Sequence, residues 1–161
     1  MEAELLRVEV RQLSDRVEIL KLAADLIGCS AEERGRLAID EAYDFLVDEL
    51  IPHTRAQEAA LYPVIGWLLQ ASEATATLSK DHDAISRMTD ELDSLRCLVS
   101  ANQPFGQVET TELRRILYGL YTLITVHLAK DELFFPLLQT RPCPEDDSHM
   151  FQLLVSLQSR C

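Results

Sequence analysis

The stretch Thr111-Glu-Leu-Arg-Arg-Ile-Leu-Tyr-Gly-Leu-Tyr-Thr-Leu-Ile-Thr-Val-His127-Leu-Ala-Lys-Asp131-Glu-Leu-Phe-Phe-Pro136 decides how the rest of the chain is read. Its inward set is Leu113, Leu117, Leu120, Ile124, His127, Asp131 and Phe134. These recur every three or four residues, the spacing that lays one stripe along a helix. The stripe is apolar until its last turns, where a histidine and an aspartate take apolar positions. The spacing predicts a helix beginning near Thr110 or Thr111 and ending near Pro136.

Upstream, the same periodicity appears three more times. From Glu4 to Ile27 the stripe is Leu6, Val10, Leu13, Val17, Leu20 and Ala24, and Gly28 supplies a C-terminal stop. Ser30 followed by Glu33 forms a capping box. The second stripe then runs Leu37, Tyr43, Leu46, Leu50, His53, Gln57 and Leu61. Pro52 has no backbone donor, so a kink is expected near Ile51, and helix is expected to continue past Pro63 through Trp67 and Leu69. A third helix is expected from about Glu73 to Ser100, carrying Leu78, His82, Ile85, Met88, Leu92 and Leu95, before the turn chemistry of Asn102 to Gly106.

Downstream, Arg141 to Pro144 reads as a loop and Met150 to Leu157 as a short closing helix, within about 146–160. Four long amphipathic helices with short connections predict an all-α, up-down-up-down four-helix bundle. The 161 residues fit one domain, with the bundle over about 4–140.

Apolar residues make up 47% of the chain, with 5 Gly and 6 Pro, as expected of a packed core rather than a disordered polymer. The net charge of −12 and pI near 4.7 argue against nucleic acid or an anionic membrane as partner, since both reward a basic face. No stretch approaches the ~18 uninterrupted apolar residues of a membrane span. The N-terminus lacks a signal-peptide core. Cys29, Cys97, Cys143 and Cys161 are scattered with no CxxC pair, which excludes a zinc ribbon and suits reduced thiols in a cytoplasm.

Of the 4 histidines, His149 follows the acidic run Glu145 to Asp147 and reads as surface. That run itself reads as a solvated loop. His53, His82 and His127 lie on the apolar stripes of three different helices. A single core histidine is more often a hydrogen-bonded polar residue than a ligand. Three on separate inward faces with carboxylates nearby suit iron, manganese or zinc. Tyr43, Tyr62, Trp67, Tyr118, Tyr121, Phe134 and Phe135 either line such a site or are plain core.

Two segments form an approximate repeat. His53-Thr-Arg-Ala-Gln57-Glu58-Ala-Ala-Leu61-Tyr62-Pro63 and His127-Leu-Ala-Lys-Asp131-Glu132-Leu-Phe-Phe135-Pro136 each place a histidine, then an acid, then an aromatic–proline pair. The second copy is one residue shorter. A residue at i+4 lies about 40° round a helix from i, whereas i+5 lies about 140° away and needs help from the backbone to face inward.

These paired segments, with Lys80-Asp-His82-Asp-Ala-Ile85, resemble the ligand segments of hemerythrin-like (HHE cation-binding) domains, over roughly Leu5 to Gln139. The resemblance implies a non-haem iron centre, commonly di-iron with about five histidines and two bridging carboxylates. It also implies a role in binding, sensing or detoxifying oxygen, peroxide or nitric oxide. The chain departs from that pattern at several points. Val10 stands where the first helix would bring a histidine, Gln57 replaces the carboxylate expected after His53, and the third helix carries one histidine where oxygen carriers show two.

The candidate metal ligands are therefore His53, His82, His127 and Asp131, with Glu58 and Glu132 as further ligands. Glu9, Glu49, Asp81 and Asp83 are available if helix rotation allows. The metal that the resemblance implies is iron, mononuclear or di-iron, with zinc or manganese as alternatives, and a homodimer is compatible with the reading. Two other functions stay open: an oxygen-activating metalloenzyme with space beside Val10, and a metal-free bundle serving as a protein-interaction module.

Overall fold

The computed structural model describes residues 2–28, 32–98 and 105–140. Ser30 of the capping box, the loop at 141–144, His149 and the closing helix expected over 150–157 lie outside the described residues. Four helical rods make up the described chain, and no strand occurs among the described residues. α1 covers residues 2–26, divided by a single turn residue, Val17, into Glu2–Arg16 and Glu18–Leu26. α2 covers 32–69, α3 is Ala76–Leu98, and α4 covers 107–140.

Each rod packs against the next, and α4 returns to α1, closing a ring of four around one core. This is the all-α bundle that the periodicity predicts. Val10, Leu13, Val17, Leu20 and Ala24 of α1 are all buried, as are Leu113, Leu117, Leu120 and Ile124 of α4. Burial of these stripes, at about 25 cal/mol per Å² of apolar surface, is what holds the rods together. Gly28 ends α1 at a φ of +83°, in the left-handed region where a Cβ would be strained. No helix among the described residues is long and apolar enough to cross a membrane.

α2 is not a uniform α-helix. Its α-helical segments Glu32–Phe45, Ile51–Ala56 and Tyr62–Leu69 are separated by π turns at Leu46–Leu50 and Gln57–Leu61. Each π turn ends just before the residue that precedes a proline. The Ile51 and Tyr62 amides each donate five residues back, to the carbonyls of Leu46 and Gln57. A proline has no amide hydrogen and its ring crowds the carbonyl four residues earlier, so a wider turn at that point relieves both problems. The irregularity expected near Ile51 is thus a π turn.

Leu37 stands nine residues before Leu46, half a turn out of phase with it in the regular helix upstream of both π turns. Leu37, placed on the stripe from its spacing, is 64% exposed, and Ala38, Ile39 and Ala42 point inward instead. In α4 the helix starts at Gln107, a few residues before Thr110, with Gly106 as its N-cap. A 3-10 turn at Glu132–Phe134 tightens α4 after Asp131, so Phe135 rather than Phe134 is fully buried. Trp67 is exposed.

Candidate metal centre

His53 and Gln57 come from the mid-part of α2, Tyr62 from just beyond its second π turn, His82 from α3, and His127 and Asp131 from α4. All six side chains are buried, in a core that is otherwise almost entirely apolar. Gln57 Nε2 donates to Asp131 Oδ2 at 2.6 Å, so the two positions four residues after the repeat histidines meet directly. His82 Nε2 lies 2.9 Å from His127 Nε2, 3.1 Å from Gln57 Oε1 and 3.2 Å from the Tyr62 hydroxyl. The Tyr62 hydroxyl also reaches Gln57 Oε1 at 3.4 Å. The Tyr62 and His82 rings stack, and His127 meets His82 edge-on. Asp131 Oδ2 is 3.4 Å from His127 Nε2 and 3.9 Å from His53 Nε2, the latter an ionic neighbour too long to be a hydrogen bond.

The outward nitrogens follow one rule. Each Nδ1 faces a carboxylate on another helix: His53 to Glu9 at 2.9 Å, His82 to Glu58 at 2.8 Å, His127 to Asp81 at 3.4 Å. Asp81 is shared with Lys130 Nζ at 2.8 Å. A carboxylate on Nδ1 fixes ring orientation and leaves Nε2 turned inward, the arrangement that supports a metal-ligating imidazole.

Burial by itself would push the His53 imidazole down, but Asp131 and Glu9 outweigh it and hold His53 at about 9. His82 is pushed below its ordinary value by burial and then by neighbouring His127, which favours a neutral ring. Burial, followed by the charges of Asp131, Glu58 and Asp81, pushes the Tyr62 phenol up, so it stays protonated.

Four of the six ligand candidates, His53, His82, His127 and Asp131, are brought together. Glu58 is not in the interior. Its side chain is 42% exposed and holds His82 from outside, because a position five residues after His53 emerges on the outer side of α2. Glu132 is exposed at the start of the 3-10 turn and touches none of the three histidines in any described contact. Of the acids left open by the sequence, Glu9 and Asp81 serve as outer partners, Glu49 pairs with Arg16, and Asp83 is exposed. Tyr118 and Tyr121 bond outward to Asp25 and Glu18, away from His127. Val10, at the position of the absent histidine, is 2% exposed and belongs to the apolar core.

The residues fit a cation by one test. His53 Nε2 and Asp131 Oδ1 are both buried without a hydrogen-bond partner, and each such atom costs about 1–3 kcal/mol unless something satisfies it. They belong to adjacent members of one cluster, a nitrogen and an oxygen suited to the same divalent ion. Among the described residues, however, no three His, Cys, Asp or Glu side chains already surround a point with coordination geometry. The facing nitrogens share hydrogen bonds instead.

A four-helix bundle whose core holds histidines and a carboxylate, each ring braced from outside, defines a cation-binding bundle protein. The family model for the hemerythrin HHE cation binding domain matches residues 3–138, and the chain belongs to that family. No curated protein and no solved structure matches it.

Proposed function

We propose that this member of the family holds a single divalent transition-metal ion, iron by the resemblance, between His53, His82, His127 and Asp131. The ion would serve to bind or react with a small ligand such as oxygen, peroxide or nitric oxide. The observation that carries this reading is the shared arrangement of three inward Nε2 atoms, each with its Nδ1 held by a carboxylate. Three imidazoles, with His53 giving up its proton as the ion binds, and one carboxylate suit one borderline cation. A second ion would need further anionic donors, and the interior position that could supply one holds Gln57, an amide.

Iron supplies an open coordination position and a change of oxidation state when bound. The chain contributes the rest. The apolar rods exclude water, Gln57 orients Asp131 by donating to it, and the Tyr62 phenol keeps its proton beside His82. A small ligand held there would find the Tyr62 hydroxyl as a donor.

A second reading is favoured by one observation. His82 Nε2 has three hydrogen-bonding neighbours, and Gln57 satisfies one oxygen of Asp131, so much of the polar core is self-contained. On that reading the bundle is a metal-free interaction module. The enlarged-cavity enzyme loses its motive, since Val10 is packed in the core.

Metal analysis of freshly purified protein, with absorption spectra before and after air exposure, separates these. Near one iron per chain supports the proposal. Two irons with oxo-bridge bands would overturn the single-ion reading, and no metal after iron loading of folded protein would leave the interaction module.

A further inference from the structure

Three features outside the donor cluster invite a role. An acidic cleft on α1 around Asp15, Glu18 and Asp25 is charged surface with no buried group aimed into it. The exposed apolar residues Leu37, Trp67, Leu98 and Leu133 have nothing to define what would cover them. The third feature reaches the interior. A cleft of about 510 Å³ opens between α2 and α3, and its lining includes Thr54, Arg55, Glu58, Ala59, His82 and Asp83.

His82 is the one interior donor on that lining. His53, His127 and Asp131 are not part of it. At the junction stands Glu58, partly solvated and holding His82 Nδ1 at 2.8 Å. Two carboxylates, Glu58 and Asp83, against one guanidinium, Arg55, leave the charged lining net negative. A hydrated divalent cation is drawn to such a wall, more so in a chain of net charge −12. Glu58 offers it an oxygen at the point where the solvated surface meets the buried ring.

We infer that this cleft is the entrance by which a divalent cation reaches the interior donors, with Glu58 as its first contact and His82, whose outward Nδ1 Glu58 holds, as the first donor side chain it meets. The inference rests on the single-ion reading above. It gives Glu58 a use that neither an interior ligand nor a plain surface acid would have.

The test fills the cleft without touching a donor. Ala59 is exposed and lines it, so Ala59→Trp plugs the passage while leaving His53, His82, His127 and Asp131 intact. Cobalt(II) loading of the full chain is followed by stopped-flow absorption, with Leu22→Trp, exposed on α1 outside this cleft, as control. The expected result is loading slowed at least tenfold in Ala59→Trp, with unchanged final amplitude and circular dichroism, and no slowing in the control. An unchanged rate with full loading overturns the entrance and leaves the metal reading standing. No loading in any form overturns both.

A metal-independent readout guards against slowing by distortion. Carbethoxylation of His82 in metal-free protein, mapped by peptide mass, should fall in parallel in Ala59→Trp. Loading slowed while His82 reacts at its original rate would place the block elsewhere and overturn the inference.

Discussion

The two copies of the histidine–acid–aromatic segment start alike and diverge after four residues. In α4 the chain passes from Asp131 into a 3-10 turn and delivers Phe135 eight residues after His127. In α2 it passes from Gln57 into a π turn and delivers Tyr62 nine residues after His53. One copy is tightened, the other widened, and both aromatic rings end up buried. The extra residue in α2 is thus absorbed by the wider turn, which keeps the aromatic–proline pair in phase with the core. The copies also differ chemically. The i+4 position is a carboxylate in one and an amide in the other, and the aromatic is a phenyl ring in one and a phenol in the other.

If phase is what the two turns protect, the copies should answer a deletion differently. Ala59 and Leu133 are both exposed, so removing either takes nothing out of the core. Deleting Ala59 gives α2 the same histidine-to-aromatic spacing as α4, and an ordinary helical turn can replace the π turn. Its cost should be about 1 kcal/mol. Deleting Leu133 leaves α4 no surplus to give up and swings Phe135 off the core, a loss of about 3–5 kcal/mol. Thermal unfolding should show the Leu133 deletion lower than the Ala59 deletion by roughly 4–16 °C, at ~2–4 °C per kcal/mol. Equal losses would break the phase argument.

The next effect concerns the i+4 pair. Asp131→Asn removes the one buried carboxylate among the described residues and should lower cobalt(II) affinity by at least about 100-fold in a calorimetric titration, beyond the ~10–100-fold typical of an outer partner. Gln57→Glu, which makes the copies match, should act in the opposite sense on metal number and adversely on the metal-free fold. Two carboxylates would then face each other where the Gln57 amide now donates a 2.6 Å hydrogen bond to Asp131. One of them must take up a proton or find a cation. A metal-free loss of about 1–3 kcal/mol, with binding rising from one ion to two, would show that the amide sets the stoichiometry. Binding that stays at one ion would locate the limit elsewhere, with Val10 the next residue to change.

This contrast also shows what was readable in the sequence. The stripes of α1 and α3, and of α4 as far as Asp131, carry regular phase, so their inward residues could be named from spacing, and the bundle followed. His53, His82, His127 and Asp131 could be found because a polar residue in an apolar stripe is conspicuous. What spacing could not show is a change of phase within a helix. Leu37 lies off the inward face because it stands six residues before Tyr43, a spacing no helical stripe carries, and Phe134 does so because a 3-10 turn leaves the composition untouched while rotating the residues beyond it. The two prolines, each just beyond a π turn, were the available signal. Glu9 and Asp81 were open candidates, but which ring each braces depends on how separate helices are rotated together. Gln57 read as a lost ligand, yet its amide is what holds Asp131.

The outer partners give the third prediction. His127 shares Asp81 with Lys130, whereas His53 has Glu9 on one side and Asp131 on the other. His53 is accordingly held at about 9, above the ordinary 6.5. A folded-state value raised in this way adds stability that is complete below the unfolded value and is lost as pH climbs through the folded one. Metal-free protein should therefore lose about 2–3 kcal/mol between roughly pH 6.5 and 9, a drop read by denaturant unfolding across that window. Glu9→Gln should make the drop shallower, with Asp131 still raising the ring. A stability curve that is flat in the unaltered protein, or that rises with pH, would remove the charged His53 from the account.

The smallest effect comes from the ring itself. Tyr62→Phe makes the α2 copy end as α4 does, keeping the stacked ring over His82 and deleting only the hydroxyl. Gln57 Oε1 and His82 Nε2 each lose a neighbour, but each keeps the other at 3.1 Å, so neither is left bare. The cost to the metal-free fold should be about 1 kcal/mol, the net worth of one hydrogen bond. Metal content should not change, because the phenol is held protonated by burial and by the carboxylates around it and so makes a poor anionic ligand. What should change is the small ligand. Nitric oxide binding to the iron-loaded variant, followed by its absorption bands, should weaken by roughly three- to tenfold if the hydroxyl donates to that ligand, about one hydrogen bond at 1.4 kcal/mol per factor of ten. If ligand binding is untouched while stability falls by the same 1 kcal/mol, Tyr62 is a strut for Gln57 and nothing more. If stability is untouched as well, the difference between the two aromatics has no consequence, and the asymmetry of the site rests on Gln57 and Asp131 alone.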